Sequence, residues 1–387
     1  MDFSLTQTQQ ELSALARRIL TDKETPERLA ELDRAGLGFD ESLWSELAAT
    51  GILSAVLPEN SGGDGLEFLE QCSVLIELGR TVARAPYLTA IVLGASAIAR
   101  FGSAEQVSRW AGPAGAGELI IATALAEVDG EDPRHPKTVA EPEGGPRTPS
   151  TIAEHADARW RLSGSKTAVP FGTVAHLFLV PATTPYGTSV FCVQPTDPGV
   201  TVEPQELTDG PGFARVTLEG AELGSDQLLA SGNEPVAGWL ADRATVGICA
   251  AQLGVAERAL ELTSEHARTR QQFGRPIGAF QAVAQRLADA YIDVEAIRLT
   301  MWQAAWRLEA GLPADEEIAT AKFCAADGGH RVAHTAVHIH GGVGVDTSHS
   351  LHRYFTAAKQ NEFALGGATT QLRRLGGVIR SAALADG

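Results

Sequence analysis

The chain has 387 residues, a formal net charge of −17 and 44% hydrophobic residues. That length carries two or three domains with a large core, and the acidity disfavours nucleic acid or an anionic membrane surface as partner, since both need a basic face. No apolar run reaches the roughly 18 residues of a membrane span, and Met1-Asp2-Phe3-Ser4-Leu5 has neither a basic n-region nor an apolar h-region, so no secretory signal is expected.

Leu5, Leu12, Leu15 and Ile19 form an apolar stripe with polar residues between, which predicts helix from Phe3 to about Asp33. Helical patterning continues over 41–50, 66–83, 92–101 and 104–111, with a break at Pro58-Glu59-Asn60-Ser61-Gly62-Gly63. These elements make a helical domain over 1–118. At Leu119 the pattern changes to short β-prone runs, at 119–127, 160–166, 175–181, 188–193, 199–203 and 214–218, separated by turn residues. They predict a β-domain over 119–231. Within it, 129–157 is rich in Pro, Gly and acid and reads as an exposed excursion, disordered in its middle. Helix returns at Pro235, with Trp239, Val246, Ala250, Leu253 and Leu260 on one face. Further helices follow from Phe280 and over 316–339, separated by Gly311-Leu312-Pro313, and give a C-terminal helical domain over 232–387.

Two stretches in that last domain carry chemistry. In Arg270-Gln271-Gln272-Phe273-Gly274-Arg275-Pro276-Ile277-Gly278-Ala279-Phe280-Gln281, the Gly and Pro residues break any continuous helix. Residues Phe280, Val283, Leu287, Tyr291, Val294 and Met301 then set the apolar face of the next helix. An Arg and an aromatic on a rigid corner suit an anionic, partly flat ligand; a helix–loop–helix with a surface arginine fits the same pattern. The second stretch is His338-Ile339-His340-Gly341-Gly342-Val343-Gly344-Val345. Its glycines permit positive φ and close backbone approach, or simply cap a helix. His338 and His340 have no third ligand nearby, so no metal site is expected. Cys72, Cys192, Cys249 and Cys324 stand singly, which fits a reducing cytosol and argues against disulfides or zinc.

The corner resembles the R-x-x-F-G-x-P-I-x-x-F-Q signature of the acyl-CoA dehydrogenase family, and Gln285-Arg286-Leu287-Ala288-Asp289 resembles the family's following Q-x-x-L-A-D. The resemblance extends over nearly the whole chain. It implies an α+β fold of an N-terminal helical domain, a middle β-domain and a C-terminal helical bundle. It also implies FAD as cofactor, an acyl-CoA thioester as substrate, electron-transfer flavoprotein or a similar acceptor, and a homo- or hetero-oligomer in the cytoplasm. By the same resemblance Arg270, Phe273 and Gln281 reach the ADP half of an FAD held mainly by a neighbouring subunit. The stretch from His338 through Gly341 and Gly342 resembles Q-x-x-G-G-x-G, whose backbone touches the ADP part, with His338 where Gln is usual. Leu162-Ser163-Gly164-Ser165-Lys166 is similar to the family's L-x-G-x-K turn. The flavin-cradling T-E-P-x-x-G-S-D loop keeps only Ala126-Glu127, and Ala168 and Pro170 replace the usual aromatic and Thr.

The implied reaction is α,β-dehydrogenation: a carboxylate removes the α-proton while the β-hydrogen leaves as hydride to flavin. Many family members carry the base in a Y-E-G-T-x-Q string. Aligned on Thr369 and Gln371, whose family counterparts lie near the cofactor, that base position here is Gly367. A second branch carries the base one residue before an Arg on the helix opening the C-terminal domain, which here is Asp242 before Arg243. Asp242 is therefore the expected catalytic base, with Glu362 behind it; a solvent-facing Asp favoured by the helix dipole fits the same pattern. The alternatives are a base-deficient subunit paired with a catalytic homologue, and a flavin monooxygenase or oxidase on the same scaffold.

Overall fold

The computed structural model describes residues 5–59, 62–128, 130, 132–144, 158–229 and 235–385. The N-terminal part contains α1 (Gln7–Lys23), α2 (Pro26–Arg34), α3 (Glu41–Ala49) and α4 (Phe68–Thr81). A π-helix, Tyr87–Ala95, leads into α5 (Ser96–Phe101), and α6 (Ala104–Gln106) and α7 (Gly112–Gly115) follow. The single helix expected up to Asp33 is two, because Pro26 lacks the amide hydrogen an unbroken helix needs there. Thr6 starts α1 through a reciprocal capping box with Gln9, and the Asp40 carboxylate accepts from the amides of Ser42 and Leu43 to start α3.

The middle part is a twisted sheet of β1 (Ile121–Thr123), β2 (Val139–Pro142), β3 (Trp160–Pro170), β4 (Leu177–Thr184), β5 (Gly187–Val193), β6 (Val200–Leu207), β7 (Gly210–Leu223) and β8 (Leu228–Leu229). Its order is β6-β7-β3-β2-β4-β5-β8, with β1 parallel to β4. Trp160 packs edge-on against Phe191 at 5.4 Å in a core shared with Phe178, Leu162 and Val216. The excursion contains a strand that composition hid: β2 alternates exposed and buried residues and bonds to both β3 and β4. The expected disorder in the excursion's middle falls on 145–157, outside the described residues.

The C-terminal part comprises α8 (Val236–Thr269), α9 (Gln281–Glu309), α10 (Asp315–His340), α11 (Leu351–Phe363) and α12 (Ala368–Ala385). Between α8 and α9 lies a two-stranded hairpin, β9 (Gln271–Gln272) and β10 (Arg275–Pro276). N-terminal helices, a middle β-sheet domain and a C-terminal helical bundle are thus the architecture that the residue patterns foretell. Among the described residues no helix is long and apolar enough to cross a membrane.

The chain forms two compact units. One contains Met1–Leu29, Phe68–Ala83 and Thr245–Gly387, and the other Ala30–Glu67 and Arg84–Ala244. In the first, α4 and α8 meet backbone to backbone. A Cβ on Gly79 would stand 2.1 Å from the Ala251 carbonyl oxygen, and one on Gly254 would stand 1.9 Å from that of Ile76. Beside this crossing the Arg80 guanidinium bonds Glu257 and Glu261, each at 2.7 Å, and Glu77, buried on α4, accepts Arg17 from α1 at 2.7 Å. On α9, Val294 and Met301 are buried as expected, but Tyr291 is 60% exposed, since it falls at the flank of the buried line that runs through Ala290, Val294, Ile297 and Met301. Gly254→Ala forces two backbones apart with no side chain able to yield. Such overpacking costs roughly 1–3 kcal/mol or more, and urea unfolding should show the loss, whereas Gly377→Ala, with open space around it, should be neutral or stabilising.

Candidate functional site

In the β-domain, Glu127 and Lys166 form the centre of one polar cluster. Glu127 ends the segment after β1, and Lys166 lies on β3 with its side chain fully buried. Lys166 Nζ donates to Glu127 Oε1 at 2.7 Å, and the same oxygen accepts the Thr138 amide (2.9 Å) and hydroxyl (2.6 Å). Glu127 Oε2 accepts the Lys137 amide at 2.6 Å. Burial opposes the charge, yet these donors hold the Glu127 carboxyl down at about 2. Beyond Lys166 the strand kinks: Ala168 has φ +49° and Phe171 φ +53°. The Ala168 amide donates to Gln205 Oε1 at 2.8 Å, and Pro170 has no amide hydrogen to offer.

The C-terminal helices carry the corner. The Arg270 amide donates to the His266 carbonyl and the Ile277 amide to the Arg270 carbonyl, both at 2.8 Å. Phe273 has φ +52° and Gly274 φ +76°. This turn throws Phe273 outward, 91% exposed, edge-on to Phe280, while Arg275 lies 4.2 Å over the Phe280 ring. Arg270 and Gln281, the first residue of α9, are exposed.

Two histidines link the corner to the glycine turn, a connection the sequence reading missed. His266, in the last turn of α8, stacks on His340, in the last turn of α10, with centroids 4.3 Å apart and planes at 23°. His340 is buried, its Nδ1 donates to the Ala336 carbonyl at 2.9 Å, and His349 flanks it at 5.5 Å. Gly341 follows with φ +64°, and neither Gly341 nor Gly342 has any atom within 4 Å of where a Cβ would stand. His338, two residues before His340, is exposed. The structure thus brings Arg270, Phe273, Gln281, His338, Gly341 and Gly342 to one end of α8 and α10.

Thr369 is exposed on the first turn of α12, and Gln371 is buried two residues on. Gln371 Nε2 donates to the carbonyls of Leu365 (3.1 Å) and Gly366 (3.0 Å), both at positive φ, while its Oε1 is buried without a hydrogen-bond partner. A Cβ on Gly367 would make only ordinary contacts, 3.6 Å from the Glu362 carbonyl oxygen and 3.7 Å from the Phe363 ring. Glu362 Oε2 bonds Lys359 Nζ at 2.6 Å and lies 3.1 Å from His330 Nδ1. Buried Lys322 caps α11 by donating to the carbonyls of Asn361 (2.9 Å) and Glu362 (3.0 Å), and burial pushes its ammonium down to about 8. Asp242 belongs to the other compact unit, where it is ion-paired with Arg134, and Arg243 lies 4.2 Å over Trp239. Among the described residues no His, Cys, Asp or Glu cluster could hold a metal.

Models of the acyl-CoA dehydrogenase N-terminal and C-terminal domains match residues 6–118 and 235–379. The chain belongs to the acyl-CoA dehydrogenase family. It is 48% identical to acyl-CoA dehydrogenase FadE27 of Mycobacterium tuberculosis over 97% of this chain and 98% of the relative. It is 29% identical to the short-chain specific acyl-CoA dehydrogenase of Megasphaera elsdenii over 98% of this chain and 100% of the relative. A chain of the Mycobacterium tuberculosis ChsE4-ChsE5 complex superposes with a TM-score of 0.90 at 48% identity, covering 98% of this chain and 99% of that one. A chain of the Tcur3481-Tcur3483 steroid ACAD superposes at 0.88 with 39% identity, covering 97% and 98%. As a member of this family the chain is of the flavin oxidoreductase type, whose reaction is α,β-dehydrogenation of acyl-CoA thioesters.

The histidine stack gives the site a pH dependence. Burial first, then Arg270 and His349 for His266, and His266 and His349 for His340, push both imidazoles below the ordinary value of 6.5. The folded protein therefore binds fewer protons here than the unfolded chain. Stability is intact above about pH 6.5 and falls as the pH drops below it. Urea midpoints at pH 7.5 and 5.5 should show that fall, and His340→Gln should reduce it.

Proposed function

We propose that this chain is the base-deficient subunit of a two-chain, FAD-dependent acyl-CoA dehydrogenase. The observation that carries this reading is that neither family base position offers a carboxylate ready to accept a proton. Gly367 has no side chain, and Asp242 is engaged by Arg134. This reading departs from the expectation that Asp242 serves as the base, on the ground that a carboxylate oxygen committed to a guanidinium must give up that pair before it can take a proton. Two of the structural relatives support pairing, since each comes from a complex of two differently named chains. An exposed apolar line on α9, Ile292, Leu299 and Trp306 at seven-residue spacing, supports burial against another subunit.

The two ends of the cofactor fare differently. The ADP half fits this chain's residues: an exposed guanidinium at Arg270, an exposed ring at Phe273 and unobstructed glycine backbone at Gly341 and Gly342 are the donor set a pyrophosphate and adenine require. Gln281 and His338 would flank that end, with Thr369 and Gln371 on α12 farther along the family's cofactor site. The isoalloxazine half does not fit this chain's own β-domain, where Gln205 takes the Ala168 amide and Pro170 has none. When bound, FAD supplies the hydride acceptor. The substrate class proposed is the CoA thioester of a ring-bearing, steroid-derived acid, supported by the steroid ACAD at 39% identity. The acceptor proposed is electron-transfer flavoprotein, supported by a 28% identical chain in the structure of that protein from Acidaminococcus fermentans.

The test is flavin content after co-expression with a homologous, base-bearing chain. The complex should retain FAD, and Arg270→Ala should weaken its retention by about 10- to 100-fold, because a charge-assisted contact contributes roughly 1.5–3 kcal/mol. Undiminished flavin in Arg270→Ala would refute the corner's role.

A further inference from the structure

The turn after β1 holds Asp242 in a way the proposed function leaves unexplained. The Asp132 carboxylate accepts the Arg134 amide at 3.0 Å. The Arg134 carbonyl accepts the Thr188 hydroxyl at 2.9 Å, and the Pro136 carbonyl accepts the Thr183 hydroxyl at 2.6 Å. The first of these bonds closes the 132–136 turn and the other two fix it on β5 and β4, and Arg134 projects from it toward the opening turns of α8. There its guanidinium lies between two carboxylates. Nη1 donates to Asp132 Oδ1 at 3.2 Å, and Nη2 is paired with Asp242 Oδ1. The side chains of Arg134 and Asp242 are only 30% and 22% exposed, so solvent screens the pair incompletely. A planar fork carrying one carboxylate on each arm is a geometry that a lysine cannot copy.

We propose that Arg134 is a latch, a positioning residue that withholds the Asp242 carboxylate from proton transfer. The chain then keeps a carboxylate at a base position in blocked form. The idea rests on the reading above that this subunit contributes no base. With the latch removed, Asp242 takes the α-proton of an acyl-CoA thioester: the C–H bond breaks, its electron pair moves into the thioester as an enolate, and the proton goes to the carboxylate. The same carboxyl then returns a proton, or a deuteron in D2O, to that carbon. Nothing is oxidised, so the exchange requires no electron acceptor.

The test incubates the full chain with the CoA thioester of a steroid-derived acid in D2O and follows α-deuteration by mass spectrometry, for wild type, Asp242→Asn, Arg134→Gln, Arg134→Lys and Arg134→Gln/Asp242→Asn. The latch predicts silence in wild type, at least a tenfold rise in Arg134→Gln, background in the double variant, and an intermediate rate in Arg134→Lys, which keeps the charge but loses the fork. Silence in folded Arg134→Gln, or a rise that survives Asp242→Asn, overturns the latch alone. Exchange by wild type that Asp242→Asn abolishes overturns the base-deficient reading together with the latch. Should Arg134→Gln fail to fold, carbodiimide labelling of wild type decides: Asp242 should be protected relative to half-exposed Asp226, and equal labelling overturns the latch.

Discussion

The β-domain depends on the buried ion pair between Glu127 and Lys166. One carboxylate gathers a lysine and donors from Lys137 and Thr138, and so joins β1's outgoing segment to β3 and to the start of β2. A lysine this buried is tolerated only with such a partner, and removing one member of a buried pair typically costs about 3–5 kcal/mol. The pair also fixes where the following residues go. The Thr167 amide bonds the Ala126 carbonyl, and the kink at Ala168 begins one residue later. The excursion leaves from the same anchor, so the turn that presents Arg134 to Asp242 inherits its position from Glu127.

Gln371 has a structural role of its own. Its amide ties down the two positive-φ residues of the α11–α12 turn, so the fold requires it whether or not a base stands at 367. Gly367 has ordinary room for a side chain, which means that packing does not impose its glycine. The corner at Arg270 is different. Phe273 is held at positive φ and almost wholly exposed, a conformation that burial within its own chain does not explain and that a partner surface or ligand would.

Much of this was legible in the sequence because the signals are local. Glycines and prolines mark the corner, period-two runs mark the strands, and the Arg270 signature lies within twelve residues. What stayed hidden is long-range. Glu127 and Lys166 are 39 residues apart, and Arg134 and Asp242 are 108 apart; no periodicity relates them, so a carboxylate at a base position looked available when it was paired. The same applies to His266 and His340, each a plausible helix-terminal histidine by itself. The short β2 was lost for the opposite reason, because a four-residue strand is outweighed by the Pro- and Gly-rich composition around it.

The central claim, that this chain contributes the fold and a cofactor corner but no base, is tested most directly by stopped-flow bleaching of the flavin. The chain reconstituted with FAD by itself, and the chain mixed with a homologous base-bearing partner, would each be challenged with a steroid-derived acyl-CoA. The account predicts bleaching only in the mixture. Rapid bleaching by the chain alone would contradict it.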